Sequence, residues 1–207
     1  RTKRLWVVAL QAIIAVSLAL VAFTIEAPSF FQVSLAVLWL MAFSSATHDI
    51  AADGFYMLGL KQHEQAAFVG VRSTFYRLAN IAGQGLLVYL AGELIKSTGD
   101  VAYAWSVVFF VLAAMFIALF VYHHFILPRP ESDRAVVQGD NYLKEFFATF
   151  ASFFRRKDIW LILGFILTYR LGESQLIKLV TPFLMDPVAK GGLGLTTSQV
   201  GIDYGTV

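Results

Sequence analysis

The chain has 207 residues, of which 58% are hydrophobic and only 14% charged, with a formal net charge of +2; its mean hydropathy is +0.68. A soluble domain carries about a quarter charged residues, so this composition excludes an ordinary soluble protein. It holds no cysteine, which excludes a disulfide scaffold or a thiolate metal site.

Five apolar runs follow in chain order, over 5–25, 30–58, 67–95, 102–126 and 158–184. Each is long enough to cross a hydrocarbon layer of ~30 Å as a helix of roughly 20 residues. The runs are continuous and lack the short alternation of barrel strands, so they read as helices. The segment TTSQVGIDYGTV, 196–207, reads as a cap and the start of a sixth span. The chain opens on RTKR with no signal-peptide pattern and stops at IDYGTV in mid-pattern, so we expect a piece of a larger protein. The fold class expected is an all-α integral membrane protein.

Orientation follows from the loop charges. With residue 1 on the cytoplasmic side, that side holds Arg1, Lys3, Arg4, Lys61, Arg129, Arg134, Lys144, Arg155, Arg156 and Lys157. The other side holds Lys96 and Lys190. The basic residues thus sort by membrane side and form no nucleic-acid patch.

The second run ends in SSATHDIAADGFY, 44–56, which carries His48, Asp49 and Asp53 into an apolar span. Asp49 and Asp53 are four apart and share one helix face with Ser45 and Tyr56. The third run has its own polar stripe of Ser73, Tyr76, Arg77, Asn80 and Gln84. At 1.5 Å per residue, Asp49 and Arg77 lie about 13 and 15 Å inside the cytoplasmic ends of their spans, and Asp53 and Arg72 about 8 Å. Depth therefore pairs Asp49 with Arg77 and Asp53 with Arg72, since charges in hydrocarbon need partners. Ala79, Gly83, Gly85 and Gly92 suit close helix packing on the same span. Glu93 lies near its outer end and reads as wet.

His123 and His124 end the fourth run and read as interfacial, and Trp6, Tyr103, Trp105 and Trp160 fit aromatic belts. The connector 128–157 is the one long polar segment. Its second half, YLKEFFATFASFFRRK, puts Phe146, Phe147, Phe150, Phe153 and Phe154 on one helix face before a basic cluster. It reads as an amphipathic helix at the cytoplasmic interface, or else one packed on the ends of the spans.

The fifth run holds TYRLGESQLIKLVTPF, 168–183, with Arg170, Glu173, Ser174, Gln175 and Lys178. Two cations and an anion there suggest a cavity for an anionic or very polar ligand. The plainer reading is an Arg170–Glu173 pair with Lys178 snorkelling to the outer surface. Pro182 is expected to kink or end the helix.

The candidate cavity-lining residues are thus Tyr76, Arg77, Asn80, Gln84, Arg170, Glu173 and Gln175. The candidates for a gate or a proton-linked switch are Asp49, Asp53 and Arg72. No P-loop, GxSxG or HExxH occurs, and no catalytic residue, metal ligand set or cofactor is expected. His48, Asp49 and Asp53 could supply part of a metal site, which keeps a membrane enzyme on lipid-linked substrates as the rival class.

HDIAADGFYMLGL, 48–60, followed by a short polar loop and FVGVRSTFYRLANIAGQGL, 68–86, resembles the AmpG-type muropeptide permeases of the major facilitator superfamily. Members carry a similar (Q/H)DIxxDxxxxxxL element in their fourth helix, with an Arg- and Gly-containing fifth. RTKRLWVVALQ resembles the start of helix three and GGLGLTTSQVGIDYGTV the entry into helix eight. The acid element is also similar to that of eukaryotic acetyl-CoA transporters, and it departs from the commoner pattern in having His48 where Gln is common. The resemblance implies a partial major facilitator bundle: helices three to six in 1–127, the central cytoplasmic linker in 128–157, and helix seven with the start of eight in 158–207. It implies a bacterial inner-membrane transporter with a polar small-molecule substrate, protons and lipids as partners. The expected activity is proton-coupled uptake of anhydro-muropeptides for peptidoglycan recycling. Another polar solute, such as a sugar, a drug or an acyl-CoA, is the alternative.

Overall fold

A computed structural model describes residues 2–134 and 142–205, with backbone alone at Tyr142, Leu143, Glu145 and Phe146. The orientation charge Arg1, the connector residues 135–141 and the Phe146 side chain lie outside the described residues. Every element among the described residues is helical. They are α1 (Lys3–Thr24), α2 (Phe30–Gly59), α3 (Gln62–Asn80), a π turn (Ile81–Leu86), α4 (Leu87–Thr98), α5 (Val101–Ile126), α6 (Tyr142–Phe154), α7 (Ile159–Met185), a 3-10 turn (Val188–Lys190) and α8 (Thr197–Asp203).

Among the described residues, four helices are long and apolar enough to span a membrane: α1, α2, the continuous Gln62–Thr98 helix, and α5. The fifth expected span, α7, has 27 residues, which is length enough. It is missing from the four because its second half carries the Arg170, Glu173 and Lys178 stripe. It also continues three residues past Pro182, to Met185.

The ends are fixed by side chains that take up orphan helix N–H groups. Thr2 accepts from the Leu5 N–H at 3.2 Å and Asp100 from the Tyr103 N–H at 3.0 Å. Glu64 closes a capping box by accepting from the Lys61 N–H at 2.7 Å. Thr196 and Gln199 form a second box at α8. Gly99 ends α4 at φ 73°, a left-handed position that suits glycine, and Asp100 then starts α5.

By their contacts the residues form two compact units, 1–135 with 196–207, and 136–195. In the first, α1 packs on both α2 and α5, and α4 packs on α5 and α8. Ile14, Leu18 and Ala113 centre the core, with Met41, Phe109 and Phe116 against them. The buried Ser106 hydroxyl donates across to the Ala22 carbonyl at 2.9 Å. A second tie joins the other ends of α1 and α5. The Arg4 guanidinium donates to the Leu127 carbonyl at 3.2 Å and to that of His124, and Asp133 accepts from the Lys3 and Arg4 N–H groups at 2.8 and 3.0 Å. An acidic group at a helix N-terminus also complements its dipole. In the second unit, α6 packs on α7.

Candidate functional site

The acid element lies on α2, and one of its two carboxylates meets α3. Asp53 Oδ1 accepts from Arg72 Nη2 at 2.5 Å. The Arg72 guanidinium also stands 5.9 Å from the Tyr56 ring centroid. Tyr56 in turn donates its hydroxyl to the Gln65 carbonyl at 2.7 Å, and Gln65 Nε2 donates to the Leu60 carbonyl at 2.8 Å. These contacts form a latch across the Leu60–Lys61 turn, and the depth-matched pairing of Asp53 with Arg72 is present.

The other pairing is not. Asp49 Oδ1 lies 3.8 Å from His48 Nδ1 with its side chain 76% exposed. Arg77 makes no ion pair among the described residues. Depth matching treats the helices as parallel neighbours throughout, whereas α2 and α3 share few contacts. The charges adjacent to the turn meet, and those a further turn away from it do not. Among the described residues Asp49 thus has only the His48 ring within ion-pair reach and Arg77 has no carboxylate, on helices fit to span; a charge left unneutralised at mid-bilayer costs about 2.5–3.5 kcal/mol unless water or a ligand reaches it.

Tyr76, Arg77, Asn80 and Gln84 are all exposed on one continuous helix. Gln84 lies in the π turn, which the sequence reading missed. There the Leu87 N–H reaches back five residues to the Ala82 carbonyl, so residues beyond it are rotated relative to an α-helix. The GQG sequence was the available signal, because paired glycines ease such a departure. The turn lies against α8: a Cβ placed on Gly85 would stand 3.1 Å from the Gly205 carbonyl oxygen, and one on Gly92 would collide with Ser198. The expected close packing thus holds at Gly85 and Gly92, while Gly83 faces open space.

A further constellation was also missed. Gln11 on α1 is buried, and its amide meets His123 Nδ1 on α5, with Nε2 at 2.9 Å and Oε1 at 3.1 Å. The amide can thus serve either His123 tautomer, donating to a bare Nδ1 or accepting from a protonated one. His48 lines the same cavity of about 340 Å³, together with Ala52, Phe55 and Tyr56. Its Nε2 is buried without a hydrogen-bond partner among the described residues. His123, half-buried near the end of α5, is therefore a paired group facing this cavity. Gln11, a polar residue in a run of Val, Ala and Ile, was the signal for it.

In the second unit, Arg170 Nη1 donates to Glu173 Oε2 at 2.5 Å, so the internal pair of the plainer reading is present. Gln175 and Lys178 are exposed on the same helix. Among the described residues no three His, Asp or Glu side chains converge on a possible metal position.

Among the described residues, four helices fit to cross a bilayer, with charge pairs carried on them, define a multi-pass membrane protein. Its likeness to AmpG-type permeases holds over nearly the whole chain. It is 26% identical over 200 residues to the anhydromuropeptide permeases of Escherichia coli K12 and O157:H7, covering 97% of this chain and 37% of each of those proteins. A Haemophilus influenzae relative named only as an uncharacterized protein is 30% identical over 150 residues, covering 71% of this chain and 33% of that one. The chain therefore spans well under half the length of these curated relatives. No family model and no solved structure matches it.

Proposed function

We propose that the chain is part of a bacterial inner-membrane secondary transporter that takes up anhydro-muropeptides with protons by alternating access. It is not an enzyme in this reading: substrate is moved, not converted. The observation that carries the reading is the placement of charge. Asp49 and Arg77, which do not pair with each other, lie on helices fit to span, in a chain 97% of which aligns with proteins named as permeases for this solute.

Residues 1–127 would supply helices three to six of the first bundle, 128–157 the central linker, and 158–207 helix seven and the start of eight. Tyr76, Arg77, Asn80 and Gln84 offer a cation and amides to an anionic, hydroxyl-rich and amide-rich solute, and Arg170, Glu173 and Gln175 offer a similar set. Asp53 and Arg72 act as a gate near the cytoplasmic side. Protonation of Asp53 would cancel the charge that holds Arg72, which links a proton to opening of the latch. Asp49, exposed and unpaired with Arg, is the second carboxylate open to a proton.

The test is uptake by the full-length protein in proteoliposomes, with labelled anhydro-muropeptide competed against a sugar and an acyl-CoA. Competition by unlabelled anhydro-muropeptide alone supports the assignment. Equal competition by the other solutes moves the substrate to a broader polar class. Conversion of the label without its translocation would replace transport by the rival enzyme reading.

A further inference from the structure

The connector ends in α6 (Tyr142–Phe154), and three cations follow at once. Phe147, Phe150 and Phe153 are 63%, 56% and 39% exposed on one side of this helix. Phe154 turns from that side onto Trp160 of α7, with ring centroids 5.3 Å apart, and lies 5.0 Å from Phe150 by the same measure. These rings join α6 to α7 as an aromatic elbow. At its tip, Arg155, Arg156 and Lys157 are all exposed. None of the three forms an ion pair among the described residues, although Asp158 is next in sequence. The Arg156 guanidinium instead stands 5.8 Å from the Phe153 ring centroid. Ser152 is exposed on the opposite face.

We propose that α6 lies in the headgroup region of the cytoplasmic leaflet, and that Arg155, Arg156 and Lys157 hold anionic phospholipid headgroups there. The charge decides the occupant. An aromatic face alone would suit a protein groove as well, but three adjacent cations without carboxylate partners among the described residues call for anions. A bilayer rich in anionic headgroups provides these at the depth where aromatic rings partition. Each basic residue near such a surface adds about fivefold in affinity, so the cluster gives on the order of a hundredfold preference over a neutral surface. The inference rests on the cytoplasmic placement of the connector and on no assumption about the transported solute.

The experiment uses the full-length protein in nanodiscs, with any cysteine elsewhere in it replaced by serine. A fluorophore is attached at Phe150→Cys, and at Ser152→Cys as the polar-face control. Discs contain phosphatidylcholine alone or with phosphatidylglycerol. Quenching is read from doxyl groups on the lipid tails and from aqueous iodide. The expected result is strong tail quenching at Phe150→Cys in the phosphatidylglycerol discs, weaker in neutral discs, and reduced by Arg155→Gln, Arg156→Gln and Lys157→Gln together. Ser152→Cys stays open to iodide throughout. Iodide quenching at Phe150→Cys in both discs overturns the docking. Protection from both quenchers overturns it in favour of a protein groove. Tail quenching that ignores phosphatidylglycerol and the three substitutions overturns the anionic preference. Labelling of Ser152→Cys in intact cells by a membrane-impermeant thiol reagent overturns the leaflet assigned. None of these readouts needs transport, so the transport reading stands or falls separately.

Discussion

The contact of α8 with the helix that contains the π turn is set by backbone approach, and one methyl group tests it. A Cβ on Gly201 would stand 2.5 Å from the Tyr89 backbone nitrogen and 3.0 Å from the Gly85 carbonyl oxygen. These are backbone atoms and have no rotamer to change. Comfortable contact is about 3.5 Å or more, so Gly201→Ala must push α8 outward by about 1 Å. Overpacking of this kind costs about 1–3 kcal/mol. Alanine in place of glycine within a helix returns about 0.5–1 kcal/mol. The net for Gly201→Ala is then between no change and a loss of about 2.5 kcal/mol. Gly83 is the internal control, since nothing lies within 4 Å of its Cβ position, and Gly83→Ala should gain about 0.5–1 kcal/mol. The gap between the two variants, about 1–3 kcal/mol, isolates the packing. It is read from unfolding of the full-length protein in mixed micelles titrated with a denaturing detergent. Equal midpoints for the two variants would refute the close approach.

Arg72→Gln alone should destabilise more than Arg72→Gln with Asp53→Asn, with a coupling of about 0.5–3 kcal/mol in the same titration. Asp49→Asn and Arg77→Gln, which make no pair, should add within about 0.5 kcal/mol; a large coupling there would reinstate the pairing that the structure lacks. Gln11→Leu removes the partner of His123 Nδ1 and should cost about 1–3 kcal/mol, whereas Gln65→Leu removes donations to the Met57 and Leu60 carbonyls at the partly exposed end of α2, which water can replace, and should cost less. Asp133→Ala deprives α1 of a capping carboxylate and should cost about 0.5–2 kcal/mol, seen as earlier proteolysis at the start of α1.

Length and hydropathy made the spans legible, because burial in hydrocarbon demands long unbroken apolar helices. The runs 5–25, 30–58 and 102–126 match Lys3–Thr24, Phe30–Gly59 and Val101–Ile126 to within two residues. The third span begins earlier than its apolar run, at Gln62, because the Glu64 capping box starts the helix in its polar segment. The Asp53–Arg72 latch was legible because short loops keep neighbouring ends together. Asp49 and Arg77 were misjudged because depth along a helix says nothing of rotation or splay. The His123–Gln11 pair and the Arg4 and Asp133 ties join residues more than a hundred positions apart. Periodicity along one helix cannot show which other helix it will meet. The π turn was hidden for a related reason: GQG permits it, but the pressure of α8 on Gly85 is what makes use of it.

The central claim, that this chain carries proton-linked movement of an anhydro-muropeptide, is tested most directly by concentrative uptake. The full-length protein would be placed in proteoliposomes, and labelled anhydro-muropeptide followed with and without an imposed pH gradient. The account predicts accumulation above the external concentration when the outside is acidic, only equilibration without the gradient, and loss of accumulation in Asp49→Asn and Asp53→Asn. Uptake of equal extent with and without the gradient, unaffected by either substitution, would contradict it.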